Sequence, residues 1–144
     1  MRKPDSLRAA VTAALPDLAR DPHALKIWLA KGHVKSNGVG TDARLEYGYE
    51  LSLLLLDFTG DPDTLFAALV EWLAREQPNL LLRPTDASAV IPFEIDVLDD
   101  SKVDILVSLQ LDEAIERNGD GFTHLPTPLL EESAPIAGLV GRIG

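Results

Sequence analysis

The feature that most constrains this chain is a run of strict alternation. Leu45, Tyr47, Tyr49, Leu51, Leu53 and Leu55 fall at every second position, with Glu46, Gly48, Glu50 and Ser52 between them. Side chains change face at each residue of a strand, so the run predicts a long β-strand with one dry face and one wetted face. Leu54 and Leu56 make its far end apolar on both sides, which predicts burial there. The same period precedes it, with Leu25, Ile27 and Leu29 on one face and Lys26, Trp28 and Ala30 on the other. Between the two runs, Ser36-Asn37-Gly38-Val39-Gly40-Thr41-Asp42 is turn chemistry, with glycines able to take positive φ. Together they predict a β-hairpin.

A second hairpin follows on the same logic. Phe93, Ile95 and Val97 alternate with Glu94 and Asp96, and Asp99-Asp100-Ser101-Lys102 makes the turn. Val103, Ile105, Val107, Leu109 and Leu111 then alternate with Asp104, Ser108, Gln110 and Asp112. Each hairpin is preceded by a helical pattern. Asp5 and Ser6 are capping residues ahead of Leu7, Ala10, Val11, Ala14, Leu15 and Leu18, with Pro16 forcing a kink or a restart. Asp61 is a second cap, with Pro62 at the first helical position and Leu65, Phe66, Leu69, Val70 and Leu73 as the expected buried stripe. Helix, hairpin, helix, hairpin predicts the α+β class: one antiparallel β-sheet of about four strands with helices on one face. Residues 1–115 form the domain on this reading. Residues 116–144, with five glycines, three prolines and scattered apolar residues, are expected to be either an extended C-terminal arm that docks on a partner or a disordered tail.

A chain of 144 residues is a single-domain length, able to hide roughly 70% of its unfolded surface without a disulfide or metal. It has no cysteine. No signal peptide pattern opens it, and no apolar run approaches the roughly 20 residues of a membrane span, so a soluble protein without membrane contact is expected. The net charge of −10 hides a split. Residues 1–44 carry eight basic and four acidic side chains, a net of about +4, against about −14 for the remainder. The acidic body argues against specific nucleic-acid recognition. The split is either a set of solvated faces or a subunit whose positive and negative surfaces meet in a self-assembling ring.

The chain offers little chemistry. His23, His33 and His124 have no ligand partner at helical spacing, so no metal is expected. Gly38-Val39-Gly40-Thr41-Asp42-Ala43 imitates a dinucleotide fingerprint, but a strand follows where a helix must start. Glu116, Asn118, Asp120 and Gly121 imitate half a calcium loop, with Thr127 where the bidentate Glu belongs. Asp96, Asp99, Asp100 and Asp104 crowd one hairpin, which is ordinary turn and wet-face chemistry set against a catalytic carboxylate pair. Lone tryptophans anchor interfaces, and Trp72 fits a core position equally well.

The residues also resemble a family. Lys3-Pro4-Asp5-Ser6-Leu7-Arg8 with Ala13-Ala14, Leu45-Glu46-Tyr47, Tyr49-Glu50-Leu51-Ser52-Leu53, Asp57-Phe58-Thr59-Gly60-Asp61 and Trp72-Leu73-Ala74-Arg75-Glu76-Gln77-Pro78 occur in the order and spacing of the tail completion protein R family of temperate contractile-tailed phages. The Asp-rich hairpin with Val103-Asp104-Ile105 matches as well, and the resemblance covers about residues 1–115. It implies a structural protein with no catalytic residue and no cofactor, placed at the head-proximal end of the tail and assembled in the host cytoplasm. There it would end tube growth and prepare head–tail joining, as a homohexameric ring in contact with tail tube, sheath and neck/connector proteins, with DNA passing through. The alternatives are a head-side neck protein, a small enzyme using the acidic hairpin, and a prophage assembly or immunity-type module binding one soluble partner. As interface residues the reading selects Lys26, Trp28 and Lys31 on the first hairpin, and Phe122 and Leu125 on the arm.

Overall fold

The first alternation becomes the backbone of the sheet. In the computed structural model, which describes residues 1–37, 43–81 and 91–126, β1 (Leu25–Asn37) and β2 (Arg44–Phe58) pair antiparallel with Leu25 opposite Leu55. The turn expected at 38–42 lies outside the described residues. On its other side β2 pairs with β4 (Val103–Asn118), Leu51 facing Leu109. The far side of β4 is shared: β3 (Phe93–Val97) covers its start and β5 (Gly121–Leu125) its end. The strand order is β1-β2-β4-β3, with β5 on β4. The fold is α+β, with the helices on one face of the antiparallel sheet.

That face is the predicted dry one. Tyr49, Leu51, Leu53 and Leu55 of β2 and Ile105, Val107, Leu109 and Leu111 of β4 are all buried. Over them lie α1 (Lys3–Ala14), two 3₁₀ turns at Pro16–Ala19 and Pro22–Ala24, α2 (Pro62–Glu76) and the single turn α3 (Pro78–Leu81). Leu7, Val11, Leu15 and Leu18 bury as the spacing predicts, and Pro16 restarts the chain as a 3₁₀ turn. At α2 the Asp61 carboxylate accepts the Asp63 amide at 2.9 Å, the predicted cap.

Three expectations are corrected. The stripe of α2 is Leu65, Leu69, Trp72 and Leu73, while Val70 is 46% exposed. Trp72 turns towards α1, where its indole N–H donates to Ser6 Oγ at 3.0 Å. Phe66, on the Val70 side, packs on Phe93 of the short β3, ring centres 4.8 Å apart, and β3 is too short to cover the next turn. The second correction is at α1, which begins at Lys3 with no side-chain cap from Asp5 or Ser6. The third is the arm. Strand β4 continues through Asn118, and Gly119 at φ +59° turns the chain back into β5. Residues 116–125 thus extend the sheet, because Asn118-Gly119-Asp120-Gly121 is a hairpin turn and Glu116 to Asn118 had a free β-edge to build on. Residues 127–144 of the expected arm lie outside the described residues.

The pairing of β1 with β2 slips between Leu29 and Lys31, leaving Ala30 as an extra residue. A bulge of this kind reverses which side chains face which way beyond it. After the bulge Gly32 comes so close to β2 that a Cβ would stand 2.5 Å from the Gly48 carbonyl oxygen. Backbone cannot swing aside as a side-chain tip can. Gly32→Ala is therefore expected to cost about 1–3 kcal/mol of unfolding free energy in urea titration. Leu53→Ala, which empties a fully buried position, is expected to cost about 2–5 kcal/mol.

Candidate functional site

The sheet has a second face that no helix covers among the described residues, and the selected β1 residues sit on it. Lys26 lies opposite Leu54, Trp28 opposite Ser52 and Lys31 opposite Glu50. Simple alternation from Lys26 would put Lys31 on the dry face. The bulge at Ala30 brings it round to join the other two, and carries His33 and Lys35 with it. Trp28 is 43% exposed there, beside half-buried Leu54 and Leu56, so the burial expected at that end is only partial. The arm residues separate: Leu125 pairs with Ala114 on the open face, whereas Phe122, opposite Arg117, lies on the other side and is 58% exposed.

The open face is graded in charge. Strand β1 brings Lys26, Lys31 and Lys35 and no acid. Strand β2 brings Glu46 and Glu50, β4 brings Asp104 and Asp112, and β3 brings Glu94 and Asp96. A groove of about 540 Å³ crosses the face, lined by Lys31, His33, Glu50, Gln77, Gln110 and Asp112 among others. Tyr49, Leu80 and Leu111 share its walls with these polar side chains, so it is an open groove of mixed character rather than an enclosed apolar ligand site. Among the described residues no group of three His, Asp or Glu side chains converges as a metal-ligand set, and no helix is long and apolar enough to cross a membrane.

Two of the crowded acids at the second hairpin, Asp99 and Asp104, are engaged by backbone groups. Asp99 accepts the Ser101 amide at 2.7 Å, the Ser101 hydroxyl at 3.1 Å and the Lys102 amide at 2.9 Å. The Ser101 bonds, more than the Lys102 contacts, hold its carboxyl below the usual range. Asp104 Oδ1 takes the Asp57 amide at 2.9 Å, where Asp57 stands at φ 52° and the β2–β4 register slips. Both of these carboxylates are used by backbone amides.

Alternation reasoning misses the polar joint beneath the open face. Glu113 continues the dry stripe Leu109, Leu111 of β4 and is buried. Its Oε1 accepts the Arg2 amide at 2.8 Å; its Oε2 accepts the Tyr49 hydroxyl at 2.6 Å and the Lys3 amide at 3.3 Å. A carboxylate from the sheet thus takes the first-turn amides of α1, the service expected of Asp5 or Ser6. His124 of β5 stands 3.6 Å from the same carboxylate. Alongside, buried Lys3 donates through Nζ to Gln77 Oε1 at 2.6 Å, and that oxygen also accepts the Asp112 amide at 3.1 Å. Gln77 fits here because β4 pairs with β3 only as far as Val107 and with β5 only from Ala114, which leaves the amide of Asp112 between them without a strand partner. Arg2 closes the joint on Glu76 at 2.8 Å. The signal in the sequence was a charge on an otherwise apolar stripe, Leu109-x-Leu111-x-Glu113.

These contacts set the titration of the joint. Burial pushes the Glu113 carboxyl up, but the Tyr49 hydroxyl, the Arg2 and Lys3 amides and the N-terminal ammonium together hold it below the usual range. Burial, then the Glu113 bond, pushes the Tyr49 phenol well up, and burial and Glu113 push Tyr47 up to about 12. Burial lowers Lys3 against the pull of Asp112 and Glu113. A depressed carboxyl lends stability above about pH 4.3 that is lost as pH falls; a raised phenol lends stability below about pH 10 that is lost as pH rises. Thermal midpoints are therefore expected to plateau between those limits. Glu113→Gln should make the acid limb shallower and, by setting amide hydrogens against the donors, cost about 1–3 kcal/mol at pH 7. Tyr49→Phe should flatten the alkaline limb.

Comparison with known proteins gives a coherent answer. The family model for P2 phage tail completion protein R matches residues 1–128. The tail completion protein R of Escherichia phage P2 is 34% identical over 126 residues, covering 87% of this chain and 81% of that protein. No solved structure matches.

Proposed function

Because this chain belongs to the P2 phage tail completion protein R family, we propose that it is the structural subunit that caps the head-proximal end of the tail tube, ends tube growth and prepares the tail to receive the head. The family match over residues 1–128 carries this reading. The architecture is consistent with it: a sheet held rigid on one face by helices leaves the other face, with its graded charge, free for protein contacts. The occupants proposed for such contacts are other copies of the chain in a ring, a homohexamer, and the tube, sheath and neck proteins it would meet. Lys26, Trp28 and Lys31 supply a patch for docking, with the exposed Trp28 as its aromatic anchor. Phe122 and Leu125, on opposite faces of β5, serve two different contacts rather than one. At the acidic hairpin Asp99 is engaged by its own turn and Asp104 by the Asp57 amide, which weighs against a catalytic reading there.

Deletion of the gene from a phage or prophage that carries it, followed by electron microscopy of the lysate, tests the proposal. Overlong or ragged-ended tails beside separate DNA-filled heads are expected. Normal joined particles would remove the capping role. Tails of normal length beside full heads that fail to join would move the protein to the head side of the neck.

A further inference from the structure

The sheet has two open sides. β1 pairs only with β2 and β3 only with β4, so among the described residues no strand lies against the outer edge of either. Open edges are templates for another strand, and proteins usually blunt them. These two edges differ in charge and match in pattern. On the open face β1 carries Lys26, Lys31 and Lys35, and β3 carries Glu94 and Asp96. On the helix face β1 exposes Leu29 and Val34, at 39% and 70%, and β3 exposes Ile95 and Val97, at 41% and 69%. We infer that β1 of one copy pairs edge to edge with β3 of the next, joining lysines to carboxylates on one face and aliphatic side chains on the other. The inference rests on the self-assembly proposed above.

Strand direction supports it. In the order β1-β2-β4-β3 every neighbouring pair is antiparallel, so β3 runs opposite to β1. A second copy placed alongside in the same orientation therefore sets its β3 antiparallel to β1, with open face continuing into open face. That is a head-to-tail contact, the kind that closes into rings. The two-fold alternatives are disfavoured by charge. Pairing β1 with β1 sets lysines against lysines, and pairing β3 with β3 sets Glu94 and Asp96 against their own kind. The same charges that would blunt self-pairing of either edge select the mixed contact.

Charge exchange tests this directly. One variant carries Lys26→Glu, Lys31→Glu and Lys35→Glu; a second carries Glu94→Lys and Asp96→Lys. All five side chains are exposed, and a circular dichroism melt checks that each variant folds. By analytical ultracentrifugation, each variant alone should self-associate about tenfold or more weakly than the native chain, because its two edges now repel. Mixed in equal amounts they should assemble again, each supplying the edge the other needs. Hydrogen exchange on the native assembly gives a second readout that needs no variant: amides of β1 and β3 should gain protection as concentration rises. Variants that assemble alone like the native chain, or an assembly without added protection in β1 and β3, would overturn the edge contact and leave self-assembly standing. A native chain that stays monomeric at every concentration would overturn the edge contact and the ring together.

Discussion

A single buried carboxylate, Glu113, holds the molecule's layers in one arrangement. It reaches the first turn of α1 through two backbone amides, β2 through Tyr49 and β5 through the neighbouring His124. Burying a carboxylate is costly unless its lone pairs are used. Here the Arg2, Lys3 and Tyr49 partners each lie more than 60 residues from Glu113 in the chain. The carboxylate is satisfied only when the helix, the central strand and the hairpin strand are all in place. Apolar packing of Leu7 and Val11 on the sheet would tolerate small slides of α1; a helix terminus seated on one carboxylate does not. Lys3 and Gln77 extend the same joint into the end of α2 and the gap in the edge of β4.

This arrangement divides the work between the two faces of the sheet. The dry face and the joint supply rigidity, and the three α-helices among the described residues lie there. The other face carries polar and charged side chains beside Trp28, Leu54 and Leu56, and its charge changes sign from β1 to β3. The bulge at Ala30 is the local device that makes this clean. Without it Lys31 and Lys35 would point towards the helix side, and the lysines of β1 would be split between faces. A scaffold built this way keeps its core apart from the open face, where the proposed contacts would lie.

Much of the architecture was legible because it follows from local rules. The alternation over β2 fixed its dry face, Asp61-Pro62 fixed the start of α2, and Pro16 fixed the break after α1. Collinear motifs from Lys3 to Ile105 were enough to place the family. Local rules failed where two choices were locally equivalent. Phe66 and Val70 or Trp72 could each complete the stripe of α2, and the choice fell to α1, which offers Ser6 to the indole, and to the shortness of β3. Strand β5 was hidden because a five-residue segment with one aromatic carries too little periodicity to stand out.

What the sequence determined by itself is therefore the set of elements, their inward faces and the family, because these depend on periods, caps and turns within a dozen residues. What only the tertiary structure decided is how distant polar groups are shared: Glu113 as the cap of α1, Gln77 as the patch on an unpaired strand, and the gathering of three lysines on one face. Such contacts depend on which strand lies beside which, and on a one-residue slip in register. Neither leaves a mark on the neighbouring residues that would distinguish a buried, satisfied charge from an exposed one.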